Sequence, residues 1–268
     1  MSLLLSPGVA TRIFVFCNQK GGVGKTSLTA GFAGDLAGRG LRVLVIDLTP
    51  QGNITVWLVP AVPVQRTIND VLYHVLKDGA SVRDAIVPTS WPGVDLVPSE
   101  LELASREADR GAALDFRLRR AIRAAELDGE YDVILIDTDP NLGPLLVNAL
   151  NAAHHAVVVA DAERFGADGV AKLLDTIKVV QEEGNPGLDL AGIVVNDYDG
   201  RLLEHRGRWK ELRNNYPELV AGRLPRCSAV ATAASASVPV QSLRGGRTWN
   251  LALAQLITDL MKKKAERT

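Results

Sequence analysis

Apolar residues recur along the chain in short unbroken runs: Ile13–Asn18, Arg42–Asp47, Val94–Val97, Val133–Asp137, Ala156–Ala160 and Leu190–Val195. A strand that is apolar at consecutive positions, rather than at every second one, is covered on both faces, as strands of a parallel sheet are. Between the runs the period changes. Thr26–Arg39 places Leu28, Phe32 and Leu36 at i, i+4 and i+8, and Gly40 closes it as a helix stop. Leu114–Leu127, Gly169–Glu182 and Glu204–Asn215 also read as helices, and Thr248–Lys264 closes the chain as a helix with Leu251, Leu253, Leu256, Ile257 and Leu260 directed inward. Strands alternating with helices predict an α/β fold: a doubly wound, mostly parallel sheet flanked by helices. Its crossovers should be right-handed and its ligands should bind beyond the carboxyl ends of the strands. No repeat or linker divides the pattern, so one domain is expected over residues 1–268, with 1–11 a flexible N-terminal extension and 262–268 a basic tail.

Composition narrows the class. Of 268 residues, 47% are apolar and 23% charged, and no apolar run approaches the roughly 18–20 residues of a membrane span. The apolar opening Met1–Ala10 is short and lacks a basic leader, unlike a signal peptide. Two cysteines, Cys17 and Cys227, are too few for a disulfide framework and suit a reducing cytoplasm. Net charge is −1, but it is unevenly spread: residues 201–268 hold 13 Lys and Arg against 5 Asp and Glu, the rest 17 against 26. A basic face for a phosphate backbone would look like this, and so would a solvated surface with a Lys-rich tail.

Candidate chemistry starts where the first strand meets the first helix. Lys20-Gly21-Gly22-Val23-Gly24-Lys25-Thr26-Ser27 places glycines where backbone N–H groups must turn toward an anion, at the positive end of a helix. Lys25 supplies a mobile charge for β- and γ-phosphates, and the Thr26 hydroxyl is placed for Mg²⁺. A dinucleotide fingerprint fails because Ser27 stands at its third glycine, and a standard Walker A loop fails because Gln19 stands at its first. What fits is a deviant Walker A loop with an extra lysine, Lys20, in a P-loop NTPase fold. Val133–Asp137 is the matching second element, an apolar strand ending in a carboxylate that could hold the metal. His74, His154, His155 and His205 show no metal-ligand spacing, the tryptophans show no stacking period, and no serine sits in a hydrolase constellation. Cys17 reads as a small buried hydrophobe.

These segments resemble the ParA/Soj family of partition ATPases within the MinD-like group. NQKGGVGKTSLTAGFAGDLAGRGLRVLVIDLTPQGNIT is similar to that family's first βαβ unit and YDVILIDTDPNLGPLLVNAL to its second phosphate-site segment; weaker likeness continues through LPRCSAVATAASASVPV. The resemblance implies ATP and Mg²⁺ as cofactors, a homodimer closing on ATP, non-specific DNA binding and a ParB-like partner. The protein would then be cytoplasmic, nucleoid-associated when ATP-bound and without stable membrane association. It also implies roles: Lys20 reaching the partner copy's phosphates, Lys25, Thr26 and Asp137 acting in cis, Asp47 catalytic, Gln51 binding the nucleotide, Asn196 and Pro225 at the base, and basic residues late in the chain on DNA, for which Arg226, Arg244, Arg247 and the Lys262–Lys264 tail are the candidates here. Two rivals stand beside this reading: a MinD-like membrane- or cargo-positioning ATPase, and a non-hydrolysing ATP-held switch.

Two departures qualify the resemblance. Where the family reads Asp-Leu-Asp-Pro-Gln-Gly-Asn, this chain reads Asp47-Leu48-Thr49-Pro50-Gln51-Gly52-Asn53. A hydroxyl cannot take a proton from the attacking water at neutral pH, and losing a general base costs about 10²–10⁴ in rate. Three explanations compete: an engineered change, a branch that uses ATP only as a dimer-holding ligand, or compensation by Asp139, where the family has proline. A solvent-facing loop carboxylate is the alternative for Asp139. The second departure is Ala229, where the family often has a DNA-contacting arginine.

Overall fold

The computed structural model describes residues 11–110, 112–163 and 167–262. The N-terminal extension expected over 1–11 therefore lies outside the described residues except for Thr11, and the basic tail except for Lys262. In chain order the elements are β1 (Arg12–Cys17), α1 (Lys25–Gly38), β2 (Val43–Leu48), α2 (Asn53–Leu58), α3 (Ile68–His74), β3 (Val87–Pro88), β4 (Val94–Val97), α4 (Arg117–Ala124) and β5 (Val133–Thr138). There follow α5 (Pro144–Ala152), β6 (His155–Asp161), α6 (Ala167–Glu183), β7 (Asp189–Tyr198), α7 (Leu203–Asn215), β8 (Val220–Pro225), α8 (Ser228–Ser235) and α9 (Arg247–Lys262). The strands form one sheet in the order β3-β4-β2-β5-β1-β6-β7-β8, parallel throughout except for β3 against β4.

The unbroken apolar runs are explained by two cores, one on each face of the sheet. Phe14 and Phe16 of β1, Val43 and Val45 of β2, and Val133 and Leu135 of β5 pack under α1 and α9. Their sequence neighbours Ile13, Val15, Cys17, Leu44, Ile46, Ile134 and Ile136 pack under α3 to α6. Because side chains alternate faces along a strand, only a run apolar at every position can feed both layers. The fold is thus the expected α/β sheet with helices on both faces. Strand β1 is central, and the chain passes from β5 on one side of it to β6 on the other. The crevice beyond its carboxyl end is therefore the switch point where such sheets take ligands.

Three expectations change. The helix expected over Leu114–Leu127 is divided into a 3₁₀ turn, Ala112–Phe116, and the shorter α4, and the chain turns at Glu126 with φ of +49°. Leu251, expected to face inward, is 64% exposed. At about 100° per residue it stands opposite the stripe of Leu253, Leu256, Ile257 and Leu260, all of which are buried. The pattern also passed over β8, an edge strand whose sequence VAGRLP has no apolar run to announce it.

Packing of α1 on α9 leaves no room at Gly31, where a Cβ would stand 2.4 Å from Trp249 Cη2 and 2.9 Å from Leu253 Cδ2. Alanine normally stabilises a helix interior relative to glycine by about 1 kcal/mol, but here a rigid indole must move. Gly31→Ala is expected to lower stability by about 1–3 kcal/mol in urea unfolding. Gly38→Ala in the same helix, where nothing lies within 4 Å of the added atom, should not destabilise.

Candidate functional site

The site is built at the β1–α1 junction. Asn18, just past β1, donates its amide to Val159 O on the neighbouring β6 and accepts the Lys20 N–H at 2.9 Å, so one buried side chain starts the loop. Gly22 and Gly24 then take φ of +74° and +91°, a region that side chains rarely adopt. A Cβ on Gly24 would lie 2.1 Å from Asn196 Nδ2, because the amide of Asn196 crosses from β7 to donate to Val23 O at 3.1 Å. The glycines are therefore required by backbone shape and by close packing. They leave a cradle open toward a cavity of about 480 Å³.

Gly21, Gly22, Gly24, Lys25, Thr26 and Ser27 form one wall of that cavity, and Thr49, Gln51, Asn53, Thr138, Asp139 and Pro140 the other. Lys25 is buried, with Nζ 3.5 Å from Asn18 O and 3.4 Å from Lys20 O, contacts long enough to be exchanged for a stronger acceptor. Burial lowers its pKa, opposed by the charges of Asp137 and Asp139. Thr26 Oγ1 donates to Asp137 Oδ2 at 2.7 Å, and Thr29 Oγ1 lies 3.2 Å from Oδ1. Asp137 is fully buried, and burial first, then the charge of Asp47, pushes its carboxyl up to about 7, against the hydrogen bond from Thr26. A hydroxyl and a carboxylate converging on one point, beside a backbone anion cradle and a buried ammonium, could together hold a magnesium phosphate.

Asp47 and Asp137 are directly paired across β2 and β5. Yet Asp47 turns away from the cavity: its Oδ1 accepts the Thr49 N–H at 3.0 Å and hydroxyl at 2.7 Å, and its Oδ2 accepts the Thr55 N–H at 3.0 Å and hydroxyl at 2.7 Å. Burial raises its pKa against these four bonds. Asp47 is thus the anchor of the β2–α2 turn. Thr49 lines the cavity, but its hydroxyl proton is committed to Asp47. Asp139 is the carboxylate among the described residues lining the cavity; burial raises its pKa and Lys25 opposes this.

The remaining expected residues separate. Lys20 is not among the described lining residues; its Cε passes 3.8 Å from the position of a Cβ on Gly169 in α6. Asn196 is in place against the loop, while Pro225 closes β8 two strands from β6. Arg226 is held by ion pairs to Glu163 and, at 3.0 Å, to Asp197. Arg244 and Arg247 are exposed and make no ion pair among the described residues. Ala229 is buried. Sequence reading missed Asn18, Thr29, Thr55 and Ser99; the Ser99 hydroxyl donates to Thr49 O at 2.6 Å. Thr29 had a signal, three residues past Thr26 on one helix face. Ser99 had none, since it reaches the turn from β4 across the sheet.

A family model described as an AAA domain matches residues 11–190. The chromosome partitioning protein ParA of Caulobacter vibrioides is 38% identical over 232 residues, 85% of this chain and 86% of that protein. The chromosome-partitioning ATPase Soj of Thermus thermophilus is 39% identical over 209 residues, 78% of each. The crystal structure of cobyrinic acid a,c-diamide synthase from Mycobacterium smegmatis, with bound ADP and magnesium, superposes with a TM-score of 0.77 at 32% identity, covering 95% of this chain and 97% of that one. With the glycine cradle, the buried lysine and the paired threonine and aspartate all in the places the motifs require, the chain belongs to the ParA/Soj family of P-loop ATPases.

Proposed function

We propose that this protein is an ATP-dependent partition switch: two copies close on ATP and Mg²⁺, the closed pair binds DNA without sequence preference, and a ParB-like partner prompts release in plasmid or chromosome segregation. The observation that carries the reading is the Thr26–Asp137 contact at 2.7 Å beneath the glycine cradle, with Lys25 buried beside it. Backbone N–H groups of residues 21–27 and Lys25 would grip the phosphates, and Thr26 with Asp137 would hold the metal. Magnesium, when bound, supplies charge neutralisation between phosphate oxygens. ADP and magnesium in the Mycobacterium smegmatis relative support this fit, although that relative carries the name of an amide synthase. Lys20, turned toward α6, would swing to the partner copy's phosphates on closure.

Turnover should be slow, because the hydroxyl of Thr49 is spent on Asp47 and no general base stands in its place. Asp139, opposite Lys25 on the cavity wall, is the residual candidate to meet the attacking water. Among the described residues no helix is long and apolar enough to cross a membrane, and the apolar stripe of α9 is covered by the body of the protein. The covered stripe favours the DNA-bound switch, working in the cytoplasm and on the nucleoid, over a membrane-positioning role.

Single-turnover ATP hydrolysis tests the chemistry. Thr49→Asp should raise the rate by about 10²-fold, and Asp139→Ala should lower the residual rate; equal rates for Asp139→Ala and the unaltered chain would remove Asp139 from the mechanism. A pH series tests the metal role. The raised Asp137 carboxyl holds a proton below about 7 and must shed it to take a cation, so calorimetric affinity for Mg·ATP should rise about tenfold from pH 6 to pH 8. Asp137→Asn should bind weakly and lack that dependence. For DNA, retention with ATP should fall about 10²-fold between 50 and 200 mM salt, and removing Arg244 and Arg247 together should flatten the salt slope. DNA retention that ignores ATP would contradict the switch.

A further inference from the structure

Arg226 is the arginine among the DNA candidates whose guanidinium is already occupied. Its Nε donates to Asp197 Oδ2 at 3.0 Å and its Nη2 to Glu163 Oε1. Glu163 stands just past β6, Asp197 lies in β7, and Arg226 just past β8, where its own N–H donates to Tyr198 O at 3.0 Å. One planar side chain thereby ties together the carboxyl ends of three adjacent strands. With two carboxylates on it, the guanidinium has little charge left to offer a phosphate backbone.

The anchors of this tie are the sequence neighbours of Asn196 and Pro225, the pair that the family resemblance puts at the base, of which Asn196 lies against the glycine loop. Asp197 follows Asn196, whose amide caps Val23 O and fills the space over Gly24; Arg226 follows Pro225. Asp197 holds φ of +55°, an uncommon conformation outside glycine, at the point where the ion pair restrains it. Thr49, Gln51, Thr138 and Asp139 crowd the β2 and β5 side of the loop. On the nucleotide reading, the nucleoside of a triphosphate gripped there would lie the other way, over β7 and β8, where the family resemblance puts the base.

We propose that Arg226 is a positioning residue of the nucleotide site: by clamping Asp197 and Glu163 it sets the separation of Asn196 and Pro225, between which a purine base lodges, and it is not a contact for DNA. The inference rests on the nucleotide reading above. The planar fork of arginine spans two carboxylates, whereas the point charge of a lysine does not.

The test compares Mg·ATP with Mg·tripolyphosphate, a ligand with the phosphates and no base, by calorimetry on the full chain. Arg226→Ala and Asp197→Asn should each weaken ATP by about three- to tenfold and leave tripolyphosphate within about twofold. Arg226→Lys should recover only part of the loss, and the salt slope of DNA retention should stay unchanged in Arg226→Ala. Undiminished ATP affinity in both variants, equal weakening of both ligands in both variants, or a salt slope reduced by about one in Arg226→Ala would each overturn the proposal. Failure of the unaltered chain to bind ATP would instead remove the nucleotide reading and this inference with it.

Discussion

Two carboxylates, Asp47 and Asp137, lie side by side at the ends of paired strands, both buried, and the architecture above them answers that problem. Unpaired buried ions of like sign are costly, so each must be given donors, neutralised or protonated. Asp47 is given four donors from the turn that follows it, and so becomes structural. Asp137 is given Thr26, Thr29 and the field of Lys25, which leaves its carboxyl raised, and on the proposed reading it is the group that would exchange its proton for a cation. The difference between an anchor and a candidate metal ligand comes from their surroundings, since the residue type is the same.

That division gives Thr49 its consequence. A carboxylate there would stand beside Asp47 and raise the cost of both; threonine instead donates to Asp47 and closes the β2–α2 turn. The turn in turn holds α2, whose Trp57 indole donates to Val238 O at 3.0 Å while Trp91 donates to Ser237 O at 3.2 Å. The segment carrying Arg244 and Arg247 is thus tied to the wall of the cavity, and Gln241 ties it again to α1 by donating to Gly31 O at 3.0 Å. The turn that Thr49 stabilises is also part of the wall of the cavity.

On the other side of the loop the balance of charge is set differently. The basic excess of the last 68 residues is not one uniform surface: Arg201 is spent on Asp199, Arg226 on Glu163 and Asp197, and Arg223 stacks on the rings of Tyr198 and Trp209 at 4.2 and 5.0 Å. Net charge by segment therefore overstates the cations open to a phosphate backbone. Arg244 and Arg247 are exposed and outside these pairs.

By itself the sequence determined the two-sided parallel sheet, the glycine loop at the β1–α1 junction and the pairing of that loop with Asp137. These follow from local rules: consecutive apolar residues need two cores, and glycines with lysine and threonine at a strand–helix turn need an anion. It did not determine β8, the outward turn of Leu251, the four-bond capture of Asp47 or the commitment of Arg226. Two of these depend on neighbours far along the chain, Tyr198 for β8 and Glu163 and Asp197 for Arg226, and the Thr49 turn that captures Asp47 is itself held by Ser99 from another strand end. Only the folded sheet brings these groups within hydrogen-bonding distance, and whether a charged side chain is spent or available is decided at that distance.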